Sequence, residues 1–221
     1  MTVDQEQMTK EHRPRTSFRR WLWQTMALAA IMFTSLGGYL TVLNWRGAEA
    51  QFTTYLPWDD LVPFRPEWVW VYLIPYLVGP ATIGFLRPET FRWYIQRGLV
   101  VVLATLVIFI AVPTQTAPRP SHQLADGPTA RLYENMVAID EPPANAAPSL
   151  HVSLTCLLAV ALLMDFRPLW PITLAGVSLV WLATLFTWQH HLIDVVTGMV
   201  MAGAVIYAWP KKTETLCDDT M

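Results

Sequence analysis

The chain has 221 residues, 53% of them hydrophobic and 14% charged, where a soluble domain carries roughly a quarter charged residues. Eleven tryptophans and a mean hydropathy of +0.33 point the same way, to an all-α polytopic membrane protein with no room for a separate soluble domain. The net charge of -2 excludes a nucleic-acid partner. Cys156 lies in an apolar stretch and Cys217 in the polar tail, so no disulfide is expected between them.

A helix needs roughly 20 mostly apolar residues to cross the hydrocarbon core. The first such stretch, Trp21 to Trp45, holds no charge. Ala48-Glu49-Ala50 after it has the form of a signal-peptide cleavage site. The apolar stretch exceeds the roughly 7–15 residues of a signal core, so it is expected to stay as an anchor. A mature N-terminus at Gln51 would overturn that. The second stretch, Trp68 to Leu86, contains Pro75 and Pro80. Such prolines are tolerated where neighbours satisfy the freed carbonyls. The third runs from about Tyr94 to Pro113, the fourth from Pro148 to Met164, the fifth from Pro168 to Trp188 and the sixth from about His190 to Trp209. Trp or Tyr bounds several of them, as at headgroup level. The Pro-rich stretch from Pro113 to Pro148 is the one long loop, of the kind that is usually functional or disordered.

Six spans put both termini on one side. That side holds Lys10, Arg13, Arg15, Arg19, Arg20, Arg87, Arg92, Arg97, Arg167, Lys211 and Lys212. The other side holds only Arg46, Arg65, Arg119 and Arg131. By the positive-inside rule the termini are cytoplasmic, and loops 46–66, 114–147 and 187–191 face outward. The expected organisation is a cytoplasmic tail over 1–20, a six-helix membrane domain over 21–209 and a second cytoplasmic tail over 210–221.

Ionisable groups at the edge of a span default to a functional reading, and three places on the outer face carry them. In Pro148-Ser149-Leu150-His151, proline fits a first helical turn and His151 falls in the opening turn of the fourth span. Free N–H groups there suit an anion, and Ser149 adds a hydroxyl. The plain alternative is a helix start with an interfacial histidine. His190 and Asp194 open the sixth span four residues apart, close enough to touch on a helix. A carboxylate so placed fixes the tautomer of an imidazole and raises its basicity. The alternative is a structural pair that caps the helix. Arg119, in Pro118-Arg119-Pro120, can hold phosphate in a bidentate fork. His122, Arg131 and the Asp59-Asp60 pair read as solvated loop residues.

Between His151 and His190 the chain crosses the membrane twice, which returns both histidines to one face. Two imidazoles, a carboxylate and an arginine at the mouth of a bundle suggest phosphoryl transfer through histidine. One imidazole attacks phosphorus and the other protonates the leaving oxygen. The arginine and the helix N-terminus hold the phosphate oxygens. Zinc is the rival, since three histidines and an aspartate are zinc ligands. The adjacent His190 and His191 would point about 100° apart on a helix, which counts against a shared metal.

Pro-Ser-Leu-His at 148–151 and His-x-x-x-Asp at 190–194 resemble two signature motifs of the type 2 phosphatidic acid phosphatase (PAP2) superfamily. The resemblance covers roughly residues 20–210. It implies a PAP2-like helical bundle with His190 as nucleophile, Asp194 as its partner and His151 as the acid. Ser149, Arg119 and His191 then bind substrate, a lipid phosphate or pyrophosphate, and no metal or other cofactor is needed. Three positions depart from the usual pattern. Val112 stands where a lysine is common, Ala183-Thr184 where Ser-Arg is common, and Leu150 where glycine is common. The Pro-Ser-Leu-His form is similar to the branch containing inositol phosphorylceramide synthase and the sphingomyelin synthases, which transfer a headgroup to a lipid alcohol. The resemblance therefore implies a lipid phosphatase acting at the non-cytoplasmic face of a cell or inner membrane. A lipid headgroup phosphotransferase is the alternative, and a non-catalytic protein of the same fold the second. The oligomeric state is left open.

Overall fold

The computed structural model describes residues 18–117, 119, 124 and 126–208. Lys10, Arg13, Arg15, Pro118, Pro120, His122, Trp209, Lys211, Lys212 and Cys217, all named above, lie outside the described residues. The structure is mostly helical. Its helices are α1 (Phe18–Arg46), α2 (Val69–Tyr72), α3 (Ile74–Ile83), α4 (Pro88–Ala111), α5 (Pro128–Ile139), α6 (Leu150–Asp165), α7 (Trp170–Phe186) and α8 (Leu192–Ala208).

Three helical segments are long and apolar enough to cross a membrane: Phe18–Glu49, Pro88–Ala111 and Arg167–Phe186. α6 and α8 are apolar but shorter. Large apolar side chains stand exposed on the outer faces of the long helices and their neighbours, among them Phe33, Leu77, Val107, Ile172 and Val200. In water such surfaces are costly; against lipid tails they are not.

The second expected span is broken in two. α2 ends at Tyr72, and α3 begins at Ile74 with a proline in its first turn. Pro75 has no N–H to continue the ladder. The turn tightens there, with the Leu73 carbonyl accepting the Tyr76 N–H at 3.1 Å. α4 begins at Pro88, six positions before the expected Tyr94, because Arg87, Pro88 and Glu89 supply a helix start that hydropathy alone does not register. The long loop before α6 is not structureless, since it contains α5, which starts with Pro128 straight after Gly127.

α6 is the hub, packed against α4, α7 and α8, while α1 packs on α3 and α4. At the end of α6 away from His151, Asp165 accepts from the Arg87 backbone N–H (2.6 Å), the Arg87 Nε (2.8 Å) and the Thr90 hydroxyl (2.7 Å). Arg97 is buried with its guanidinium 4.5 Å from the centre of the Trp93 ring. At the opposite end two short strands, β1 (Phe52–Thr53) and β2 (Thr114–Gln115), pair in parallel. Gln115 also bridges to Ala144. Tyr133 of α5 donates to the Thr187 carbonyl at 2.8 Å, and the Arg65 N–H donates to the Phe186 carbonyl at 2.7 Å. The loops expected to face outward are thus knitted into one cap over the ends of α6 and α8.

Candidate active site

The helix expected from Pro148 begins at Leu150, as α6. Ser149 is the N-cap of α6, its Oγ accepting the Val152 N–H at 3.4 Å. Pro148 therefore precedes the helix, contrary to the first-turn placement expected for it. Serine takes the cap because its short hydroxyl reaches the free N–H groups of the opening turn. His151 falls in that turn, as expected.

α8 approaches α6 at Gly198. A Cβ added there would meet the Ser149 carbonyl oxygen at 2.8 Å and the Val152 Cβ at 3.0 Å. The missing side chain lets the Ser153 hydroxyl donate to the Gly198 carbonyl at 3.0 Å and the Ser149 N–H to the Asp194 carbonyl at 3.1 Å. This close crossing draws the two histidine motifs together. The His151 and His190 ring centres are 6.3 Å apart.

His190 does not lie on α8, which starts two residues later at Leu192. It sits in a tight turn where the N–H groups of Gln189 and His190 both donate to the Thr184 carbonyl, each at 3.1 Å. Trp188 takes a left-handed φ of 52° to make that turn. The turn still delivers His190 Nδ1 to 3.5 Å from Asp194 Oδ2, too long for a hydrogen bond of good geometry. Oδ2 of Asp194 also accepts the His191 N–H (2.8 Å) and the Thr54 hydroxyl (3.3 Å). Asp194 therefore caps α8 and faces His190 at once, joining the structural and functional alternatives.

His151 is held by two tyrosines that the sequence reading passed over. Its Nδ1 lies 3.3 Å from the Tyr72 hydroxyl, and its ring lies 4.3 Å from the Tyr72 ring and 5.1 Å from the Tyr76 ring. Two tyrosines four apart in an otherwise apolar span were the available signal. His151 Nε2 has no partner among the described residues.

His191 turns elsewhere. Its Nε2 accepts the Ala117 N–H at 3.0 Å and its Nδ1 faces Asp59 Oδ1 at 3.8 Å. Burial holds its imidazole below the ordinary histidine value, against the opposing pull of Asp59. Asp59, expected to be solvated, is buried, and its carboxylate accepts the Leu192 N–H at 2.9 Å at the start of α8. Its neighbour Asp60 is the exposed member of that pair.

Arg119 is buried with its fork on Asp140, Nη2 to Oδ2 at 2.6 Å. Tyr39 donates to the same carboxylate. Arg131 is exposed on α5. Among the described residues, no three His, Cys, Asp or Glu side chains converge so as to hold a metal ion.

From this polar cluster a cavity of about 440 Å³ runs between α1, α3, α4 and α6, within the range of roughly 300–1,000 Å³ typical of small-molecule sites. His151, His190, Gln189, Asn145 and Asp140 line one part of it, and apolar side chains such as Leu28, Met32, Ile83 and Leu158 line the rest. Ser149 and Arg119 do not line it, although Asp140, the partner of Arg119, does.

Residues 42–208 match the family model described as PAP2 superfamily, a stretch that includes both histidine motifs. No curated protein and no solved structure matches the chain.

Proposed function

The chain belongs to the PAP2 superfamily, whose members are generally phosphatases or phosphotransferases, and on that premise we propose that it is a membrane lipid phosphatase using a histidine nucleophile at the non-cytoplasmic face of a six-span bundle. The observation that carries the reading is the pair of imidazoles 6.3 Å apart beside a largely apolar cavity of about 440 Å³. The cavity takes the lipid chain and the imidazoles meet the phosphoryl group.

With Nδ1 of His190 turned to Asp194, Nε2 is the nitrogen left for phosphorus. It attacks as the bond to the leaving oxygen breaks, and His151 gives that oxygen a proton. Asp194 stabilises the charge that grows on His190. Water then attacks the phosphohistidine, its proton passing to His151, and phosphate departs. In this reading Ser149 also contacts the phosphoryl group, and so does Arg119 once released from Asp140.

A phosphotransferase is the second reading, and the Arg119–Asp140 ion pair favours it. An arginine already neutralised suits a phosphoryl group of lower charge, and a lipid alcohol in place of water completes a transfer by the same two steps. Purified protein in detergent is given phosphatidic acid, an isoprenoid pyrophosphate or a phosphosphingolipid, with and without an acceptor lipid. Release of free phosphate supports the phosphatase, and appearance of the headgroup on the acceptor supports the transferase. Turnover unchanged in His190→Ala would remove both.

A further inference from the structure

We propose that Asn145 and Gln189 bind the phosphoryl oxygens of the substrate, and that these neutral amides select a singly charged phosphoryl group, as in a phosphodiester, over a dianionic monoester. The inference rests on the second reading above, in which a headgroup is transferred from a phosphodiester.

Asn145 is 2% exposed, yet neither Oδ1 nor Nδ2 has a partner among the described residues. Gln189 is 4% exposed with Nε2 likewise unpartnered. Both line the cavity that His151 and His190 line. Buried amides are normally satisfied, so two unsatisfied ones on residues that line one cavity mark a place where something else supplies the bonds.

The backbone holds them there. Thr114 Oγ1 accepts the N–H groups of Ala146 and Ala147, both at 3.1 Å, and Gln115 bridges to Ala144. Asn145 is thus pinned on both sides, with a left-handed φ of 57° that asparagine tolerates better than most residues. Gln189 is fixed by its N–H bond to the Thr184 carbonyl and adjoins His190.

The charges around them decide what they recognise. Asp140 also lines the cavity, as does Tyr72, which touches His151. Arg119 is spent on Asp140. Amide donors bind an oxygen without adding positive charge, so while Arg119 stays paired with Asp140 a second negative charge on the phosphoryl group gains no cation from it or from the amides. One charge is the better match.

The test compares phosphatidylglycerol with phosphatidic acid carrying the same acyl chains. Binding to detergent-purified His190→Ala protein is read by displacement of a fluorescent lipid, and KM and kcat are read on the active protein. The diester should bind at least tenfold more tightly. Asn145→Gly keeps the left-handed backbone without the amide, and Gln189→Met keeps the side-chain length. Each should raise KM for the diester at least fivefold, with kcat changed less and the melting temperature close to the parent's. Asn145→Asp should weaken the diester most. Equal or tighter binding of the monoester, or unchanged KM in both amide variants, overturns the proposal and leaves the phosphatase reading standing. Failure of the His190→Ala protein to bind either lipid overturns both.

Discussion

The backbone N–H of Ser149 donates to the carbonyl oxygen of Asp194 over 3.1 Å, tying the start of α6 to the first turn of α8. The tie holds only while the two helices stay in contact at Gly198. Replacing Gly198 with Val puts a branched side chain where one carbon would already lie 2.8 Å from the Ser149 carbonyl. Overpacking of this kind costs about 1–3 kcal/mol. Gly198→Val should lower the melting temperature and cut kcat more than tenfold, because the histidines move apart. A melt and a rate assay on the same preparation check it.

Asp194 is expected to be irreplaceable even by its isostere. In Asp194→Asn the group facing Nδ1 of His190 is neutral and half donor. A comparable exchange in a serine-protease triad lowers kcat by roughly 10⁴-fold. A loss of at least 10³-fold should appear in kcat. Circular dichroism should still report the parent helix content. Residual activity above a tenth of the parent would mean that the carboxylate serves the cap alone.

Tyr72 is a positioning residue. Tyr72→Phe keeps the ring 4.3 Å from His151 and removes only the hydroxyl at 3.3 Å from Nδ1. The variant should lose roughly tenfold in kcat on a lipid alkyl phosphate and much less on an aryl phosphate. A p-nitrophenolate leaving group needs little help from an acid. Equal losses on both substrates would assign Tyr72 to packing alone.

The rate should be bell-shaped in pH. One imidazole must be neutral to attack while the other carries the proton for the leaving oxygen. A flat profile between about pH 5 and 9 would contradict the scheme. EDTA should leave the rate unchanged, and activity lost to EDTA and restored by zinc would replace it with metal catalysis.

Stability should fall with acid through His191. Burial depresses its pKa in the folded protein, so the unfolded chain takes up the proton first. The stabilisation is whole above the ordinary histidine value of about 6.5 and is lost as pH falls below it. Denaturant melts between pH 8 and 5 should show this slope, and His191→Asn should flatten it.

The reactive geometry was legible in sequence where it depended on short spacings. His190 and Asp194, four residues apart, come to 3.5 Å, though through a turn before α8 and not along one helix face, and α6 and α7 return the chain from His151 to His190. Membership of the PAP2 superfamily was legible for the same reason. What depended on distant chain was not. Arg119 was readable as a cation, but its partner Asp140 lies 21 residues on, beyond α5. Nothing local told Asp59 to leave solvent and seat the first turn of α8, or told Asn145 to face the cavity. The break between α2 and α3 was written in Pro75, yet hydropathy runs across it unbroken.

Thr54 and Asp194, which share a hydrogen bond, stand 140 residues apart. Ser149 and Asp59 reach into the same few residues of α8 from elsewhere in the chain. During synthesis the loops arrive first and wait for the last helix. A nascent chain stopped before α8 therefore carries His151 and His190 without Asp194, the carboxylate that His190 faces in the finished protein.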